Sequence, residues 1–179
     1  MKELSLHILD IAQNSITANG YNIVIELIYS IDNDLISITI RDDGSGMSPE
    51  FLERVIDPFT TSRTTRNVGM GIPLFRLAAI MTGGDFDIKS QLGKGTDITA
   101  EFKKSHIDCP PLGDIDGTIL TLIQGNPDRD FILKYETDKG SFIVETLVFK
   151  NELGDISLSE PEVLAWIGEL LKESREAIY

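Results

Sequence analysis

The 179-residue sequence is poor in the residues that make covalent or metal cross-links. It holds one cysteine, Cys109, and two histidines. A single thiol forms no internal disulfide, and a reducing cytoplasm is its simplest setting. One Cys and two His do not supply the clustered ligands of a structural zinc site. Basic residues are also scarce: 16 Lys and Arg face 29 Asp and Glu, for a formal net charge of -13 and a pI near 4.5. A surface that neutralises phosphates carries the opposite sign, so non-specific nucleic-acid binding is disfavoured. No apolar run reaches the ~18 residues of a membrane span. The start, "MKELSLHILDIAQNS", has no long apolar core ahead of a small-residue cleavage site, so no signal peptide is expected.

What is present reads as soluble and globular, with 41% hydrophobic and 25% charged residues. The length suits one ordinary domain, or one with a small appendage. Apolar residues recur at helical spacing from Lys2 to Ala18, where Asn19-Gly20 stops them. Tyr21 to Tyr29 and Leu35 to Arg41 read as strands joined by the polar turn "SIDND". Ser48 caps and Pro49 begins a short helix, which Asp57-Pro58 ends. Thr60 to Val68 has no apolar period and reads as a loop. Gly71 to Met81 is a helix with Pro73 in its first turn, closed by Gly83-Gly84. Phe86 to Ser90 and Thr96 to Lys103 form a hairpin around "QLGKG". This order predicts an α+β fold, with helices layered on one face of a mixed sheet.

The composition changes at "IDCPPLGDIDG", which suggests a division into residues 1–107 and 108–179. The second part reads as three strands, Gly117 to Gln124, Asp130 to Glu136 and Ser141 to Lys150. A last helix follows from Glu160 to Ile178, with Ser159 and Glu162 spaced as a capping box. Residues 105–179 carry 15 acidic and 6 basic side chains, against 14 and 10 in residues 1–104. This acidic part is either a solvated face or a partner-binding module.

Two glycine pairs, Gly44/Gly46 and Gly69/Gly71, flank the polar run between them. No G-x-x-x-x-G-K-[ST] motif is present, and Gly69-Met70-Gly71 lacks the third glycine of a dinucleotide fingerprint. Gly71 at a helix start leaves backbone N–H groups for an anion. Gly44-Ser45-Gly46 follows a strand ending in Arg41-Asp42, where a carboxylate can accept a hydrogen bond from an exocyclic amine such as that of adenine. On the first helix His7, Asp10, Asn14 and Thr17 share one face. An Asn oxygen suits Mg²⁺, and a carboxylate one turn earlier can orient or deprotonate a nucleophile. The same stripe also fits the outer face of an amphipathic helix.

Taken in order, "HILDIAQNSI", "RDDGSGM", "DPFTTSR", "VGMGIPL" and "GKGT" resemble the N box, first glycine box, F box, second glycine box and Gly-Thr element of one superfamily. It is the ATP-binding fold shared by sensor histidine kinases, DNA gyrase, the heat-shock-90 chaperones and the MutL proteins (GHKL), and the resemblance covers residues 1–104. It implies a two-layer sandwich of the histidine kinase-like ATPase type, with ATP and Mg²⁺ as cofactors. By the same resemblance Asn14 binds Mg²⁺ and Asp42 reads the adenine amine. Gly44, Gly46 and Met47 belong to the base pocket, and Thr96 lies near the adenine. Gly69 and Gly71 meet the phosphates, and Arg63 and Arg66 sit in the ATP lid at Thr60 to Val68. Asp10 stands where many members have Glu, as the catalytic base. In size the chain is similar to stand-alone anti-sigma-factor-type kinase domains. His7 lies in the ATP-binding helix and His106 near the division, so neither is expected to be a phosphoacceptor. Two functions follow: transfer of the ATP γ-phosphate to a protein partner in trans, or an ATP-dependent binding switch with little turnover. Neither a nucleic acid nor a membrane is expected as partner, and the oligomeric state stays open.

Overall fold

The computed structural model describes residues 3–56 and 70–179. Its elements run α1 (Leu4–Thr17), β1 (Asn22–Ser30), β2 (Leu35–Asp42), α2 (Pro49–Ile56), α3 (Gly71–Met81), β3 (Phe86–Gln91) and β4 (Gly95–Lys103). After these come α4 (Ile115–Gly125), β5 (Asp130–Thr137), β6 (Gly140–Glu145), α5 (Thr146–Leu153) and α6 (Pro161–Glu176). Through β4 these are the elements expected from the pattern. The six strands form one mixed sheet in the order β3-β4-β2-β1-β5-β6, antiparallel throughout except for the parallel pair β1–β5.

Strand alternation decides which face is covered, because successive side chains point to opposite sides. Ile23, Ile25 and Leu27 of β1, Ile36, Ile38 and Ile40 of β2, and Ile98, Ala100 and Phe102 of β4 are all buried. They meet Leu4, Ile8 and Ile11 of α1 and Phe75 and Ala79 of α3 in the core. The other face carries polar cross-strand pairs. Thr39 and Thr99 share a hydrogen bond of 2.9 Å, and Arg41 reaches Asp97 at 2.9 Å and Glu26 at 3.4 Å. One face layered with helices is the α+β sandwich expected from the sequence.

The second half departs from the expected elements in three places. Gly117 to Gln124, read as a strand, lies inside helix α4. Its β-branched run "TILTLI" looks extended, but Ile115, Ile119, Leu122 and Ile123 are buried at helical spacing. Asp114 accepts a cap hydrogen bond from the Gly117 N–H at 2.9 Å. The third expected strand is β6 only as far as Glu145, and Thr146 onward is α5. The division at residue 108 falls between strands of one continuous sheet, since β5 pairs in parallel with β1 from Asn22↔Asp130 to Tyr29↔Thr137. The Ser159–Glu162 capping box does not form. Glu160 is the N-cap of α6 without a side-chain bond, and Ser159 instead shares a 2.8 Å hydrogen bond with Ser157.

Candidate nucleotide-binding site

The register of the sheet brings Asp42 and Thr96 together. They are direct partners across β2–β4, at the last residue of β2 and the second of β4. Asp42 thus ends a strand at the edge of a cleft of about 280 Å³, next to α1 and α2. The apolar walls are Ile11, Val55, Ile72 and Ile98, with Met47 and Phe51 at the side. The polar groups are Asn14, Ser15 and Thr17 from α1, together with Asp42, Ser45 and Thr96. An apolar slot with a few convergent polar groups is the usual form of a small-molecule site.

The two adjacent aspartates have different tasks. Asp43 accepts from the backbone N–H of Tyr21 at 2.6 Å and of Asn22 at 2.9 Å, and from the Asn22 side chain at 2.6 Å. Burial would raise its pKa, but these donors outweigh it and hold the carboxyl below the usual range. Asp43 therefore pins the start of β1. Asp42 turns into the cleft with both oxygens oriented: Ser15 Oγ donates to Oδ2 at 2.6 Å and the Gly44 N–H donates to Oδ1 at 2.9 Å. A carboxylate oxygen has more than one lone-pair site, so Asp42 can still accept from a base amine.

Two glycines permit close approach. A Cβ on Gly46 would lie 2.0 Å from the Gln91 carbonyl oxygen, and the residue has φ +63°. A Cβ on Gly44 would lie 2.7 Å from the Ala18 carbonyl oxygen. The strap 44–47 is fastened by Ser45 N–H to Ala18 O at 2.8 Å and by Gly93 N–H to Ser45 O at 2.8 Å. Ser90 Oγ accepts from the Met47 N–H at 2.8 Å and shares a hydrogen bond of 2.9 Å with Thr96 Oγ1. Ser15 and Ser90 are absent from the sequence-based site. Nothing local marks them, since Ser15 acts on a residue 27 positions away and Ser90 on one 43 positions away.

Asp10, Asn14 and Gly71 form a second group beside the cleft. A Cβ on Gly71 would stand 1.9 Å from Asp10 Oδ2 and 3.6 Å from Asn14 Nδ2, so the start of α3 lies against both side chains. Asn14 lines the cleft and Asp10 does not. The expected stripe on α1 divides. Asp10 is half-buried, Asn14 and Thr17 are exposed, and His7 is buried and stacked on Phe75 with ring centroids 5.3 Å apart. Burial lowers the His7 pKa from 6.5 to about 4. Arg63, Arg66, Gly69 and the lid segment Thr60 to Val68 lie outside the described residues. Among the described residues no cluster of His, Cys, Asp and Glu forms a metal centre, and no helix is long and apolar enough to cross a membrane.

A segment of 91 residues is 34% identical to the histidine protein kinase DivJ of Caulobacter vibrioides, covering 49% of this chain and 13% of that protein. A segment of 70 residues is 40% identical to the sensor protein SrrB of Staphylococcus aureus, covering 36% of this chain and 12% of the relative. The matches thus span about one eighth of the curated relatives' length. Among solved structures, the N-terminal domain of a DNA repair protein superposes with a TM-score of 0.51 at 20% identity, over 80% of this chain and 52% of that one, a likeness of fold alone. Residues 2–106 match the family described as histidine kinase-, DNA gyrase B- and HSP90-like ATPases. The chain, matched over more than half its length, belongs to that ATPase family.

Proposed function

We propose that the chain binds Mg-ATP in the cleft between α1, α2 and the ends of β2 and β4, and transfers the γ-phosphoryl group to a partner protein in trans. The observation that carries this reading is Asp42, held on both carboxylate oxygens and paired with Thr96 at an apolar slot. A fixed carboxylate accepts from the adenine amine and is mismatched to a base that presents a carbonyl there. Asn14 lines the cleft with its side-chain amide beside the start of α3, and its oxygen would suit an ion that takes few protein ligands and keeps phosphate oxygens and water. Bound Mg-ATP would supply the phosphoryl group with its charge partly neutralised. Asp10 would accept the proton of the partner's hydroxyl or imidazole, and Arg63 and Arg66 would reach phosphate oxygens. The likeness to a histidine protein kinase and a sensor protein supports signalling through protein partners.

A second reading is an ATP-dependent binding switch. It is favoured by one observation: Asp10 has the shorter carboxylate and packs against Gly71 without lining the cleft. A misplacement of about 1 Å can cost ~10²-fold in rate. Single-turnover assays with γ-labelled ATP and a co-purified partner separate the two readings. Transfer predicts label on the partner, lost in Asp10→Ala with ATP binding retained. A partner whose affinity responds to ATP, yet which never takes up label, leaves the switch.

A further inference from the structure

Helices α5 and α6 meet at a corner formed by residues 154–160. Gly154 turns the chain with φ +60° and Leu158 anchors the corner in the core. Phe149 of α5 packs edge-on against Trp166 of α6, with ring centroids 5.1 Å apart. The corner opens into a shallow groove of about 860 Å³, lined by Leu153, Ile156, Pro161, Val163 and Trp166. Ile156 is 53% exposed and Trp166 43%, so two large apolar side chains face solvent at one place. Asp155, Ser157, Glu160 and Glu162 complete the lining, which contains no Lys, Arg or His. Of the three cations on α5 and α6, two are engaged, and Lys172 has no ion pair among the described residues. Lys150 bonds Asp130 at 2.6 Å and the Arg129 carbonyl at 2.7 Å, and Arg175 bonds Asp116 at 2.7 Å. Among the described residues no ion pair reaches the three acidic groups of the groove.

We propose that this groove docks a basic amphipathic segment of a protein partner. One bulky apolar side chain enters between Ile156 and Trp166, and Lys or Arg on either side meet Asp155, Glu160 and Glu162. An exposed tryptophan in an apolar depression is the side-chain type that dominates binding energy at interfaces, and an acidic rim selects partners by charge. A second copy of this chain is a poor occupant, because its net charge of -13 sets like against like. An anionic membrane surface is repelled for the same reason. The docking does not rest on the proposed trans function, since the groove shares no lining residue with the Asp42 cleft.

Trp166 is the sole tryptophan, so its emission reports the groove directly. The full chain is titrated with a short synthetic peptide carrying Phe between Lys and Arg residues and lacking Trp and Tyr. Controls carry Glu in place of the cations, or Ser in place of Phe. Saturable change of emission is expected for the basic peptide alone, weakening as salt rises. Glu160→Lys with Glu162→Lys should reduce affinity by about tenfold or more, and Ile156→Ser should reduce it with the charges intact. ATP affinity, measured separately by calorimetry, should be unchanged in these variants, so that a failed groove and a failed ATP site are told apart. Equal binding of the acidic peptide or of the Ser control overturns the proposal. So does self-association in sedimentation that is lost in Trp166→Ala, which would make a second copy the occupant. A response to lipid vesicles in place of the peptide overturns it as well.

Discussion

Ser15 Oγ donates to Asp42 Oδ2 at 2.6 Å, across 27 residues of sequence, while the Gly44 N–H holds the other carboxylate oxygen. Helix α1 thereby aims a side chain that belongs to β2. Asp42→Asn should weaken ATP binding by about 1.5–3 kcal/mol, because an amide can present N–H groups where an acceptor is needed. Ser15→Ala should cost less, about 1 kcal/mol, by loosening the carboxylate. Calorimetry on both variants, with circular dichroism to show that they fold, tests the pair. Unchanged affinity in folded Asp42→Asn removes Asp42 from the site.

Gly46 and Gly83 separate close approach from backbone strain. Both have positive φ, +63° and +76°, but a Cβ on Gly46 meets the Gln91 carbonyl at 2.0 Å and one on Gly83 meets nothing within 4 Å. Gly83→Ala should cost about 1–2 kcal/mol from conformation alone. Gly46→Ala should cost clearly more, about 3 kcal/mol or above, since backbone must shift on both sides. Urea midpoints compare them, and equal losses would mean that the 44–47 strap moves aside at little cost.

Gly71 and Asp10 should be energetically coupled. The atom nearest a Cβ on Gly71 is the end of the Asp10 side chain, which can rotate away. Gly71→Ala is therefore expected to displace Asp10 without unfolding the protein. In an Asp10→Ala background most of that cost should vanish, giving a coupling of about 0.5 kcal/mol or more in a double-mutant cycle. Additive effects would show that the two do not touch.

His7 predicts acid sensitivity. Its pKa falls from 6.5 to about 4 on folding because burial disfavours the cation, and its Nδ1 has no hydrogen-bond partner. Between those values the unfolded chain binds a proton that the folded one does not. The contribution is fully present above pH 6.5 and is lost as pH falls towards 4. From pH 7 to pH 5 the loss should be about 2 kcal/mol. In denaturant curves the stability of wild type relative to His7→Leu should fall by about 2 kcal/mol over this range. If their difference is independent of pH, His7 already binds a proton in the folded state.

Much of the site could be read without coordinates because local rules constrain it. Asn14 follows Asp10 by one helical turn, Asp42 ends an alternating strand, and Gly44, Gly46 and Gly71 sit where turns and helix starts need them. The resemblance placed Thr96, and the β2–β4 register then set it opposite Asp42. His7 shows the limit of periodicity. Spacing put it on the same stripe as Asn14, but only the packing of α3 decided that Phe75 would cover it.

The sequence by itself determined the first seven elements, the α+β class and the places of Asn14 and Asp42 on α1 and at the end of β2, because these follow from hydrophobic period, caps and glycine. In the second half the pattern also gave β5, the start of β6 and α6, but tertiary structure alone decided three things. "TILTLI" is β-branched enough to read as a strand, yet it folds as α4 because Asp114 caps it and its apolar face finds α1 and α6 to pack on. β5 joins the first sheet because its register with β1 completes the hydrogen bonds of that strand's open edge. Ser15 and Ser90 gain their roles only when chains distant in sequence converge, since a hydroxyl has no preferred partner until the fold supplies one.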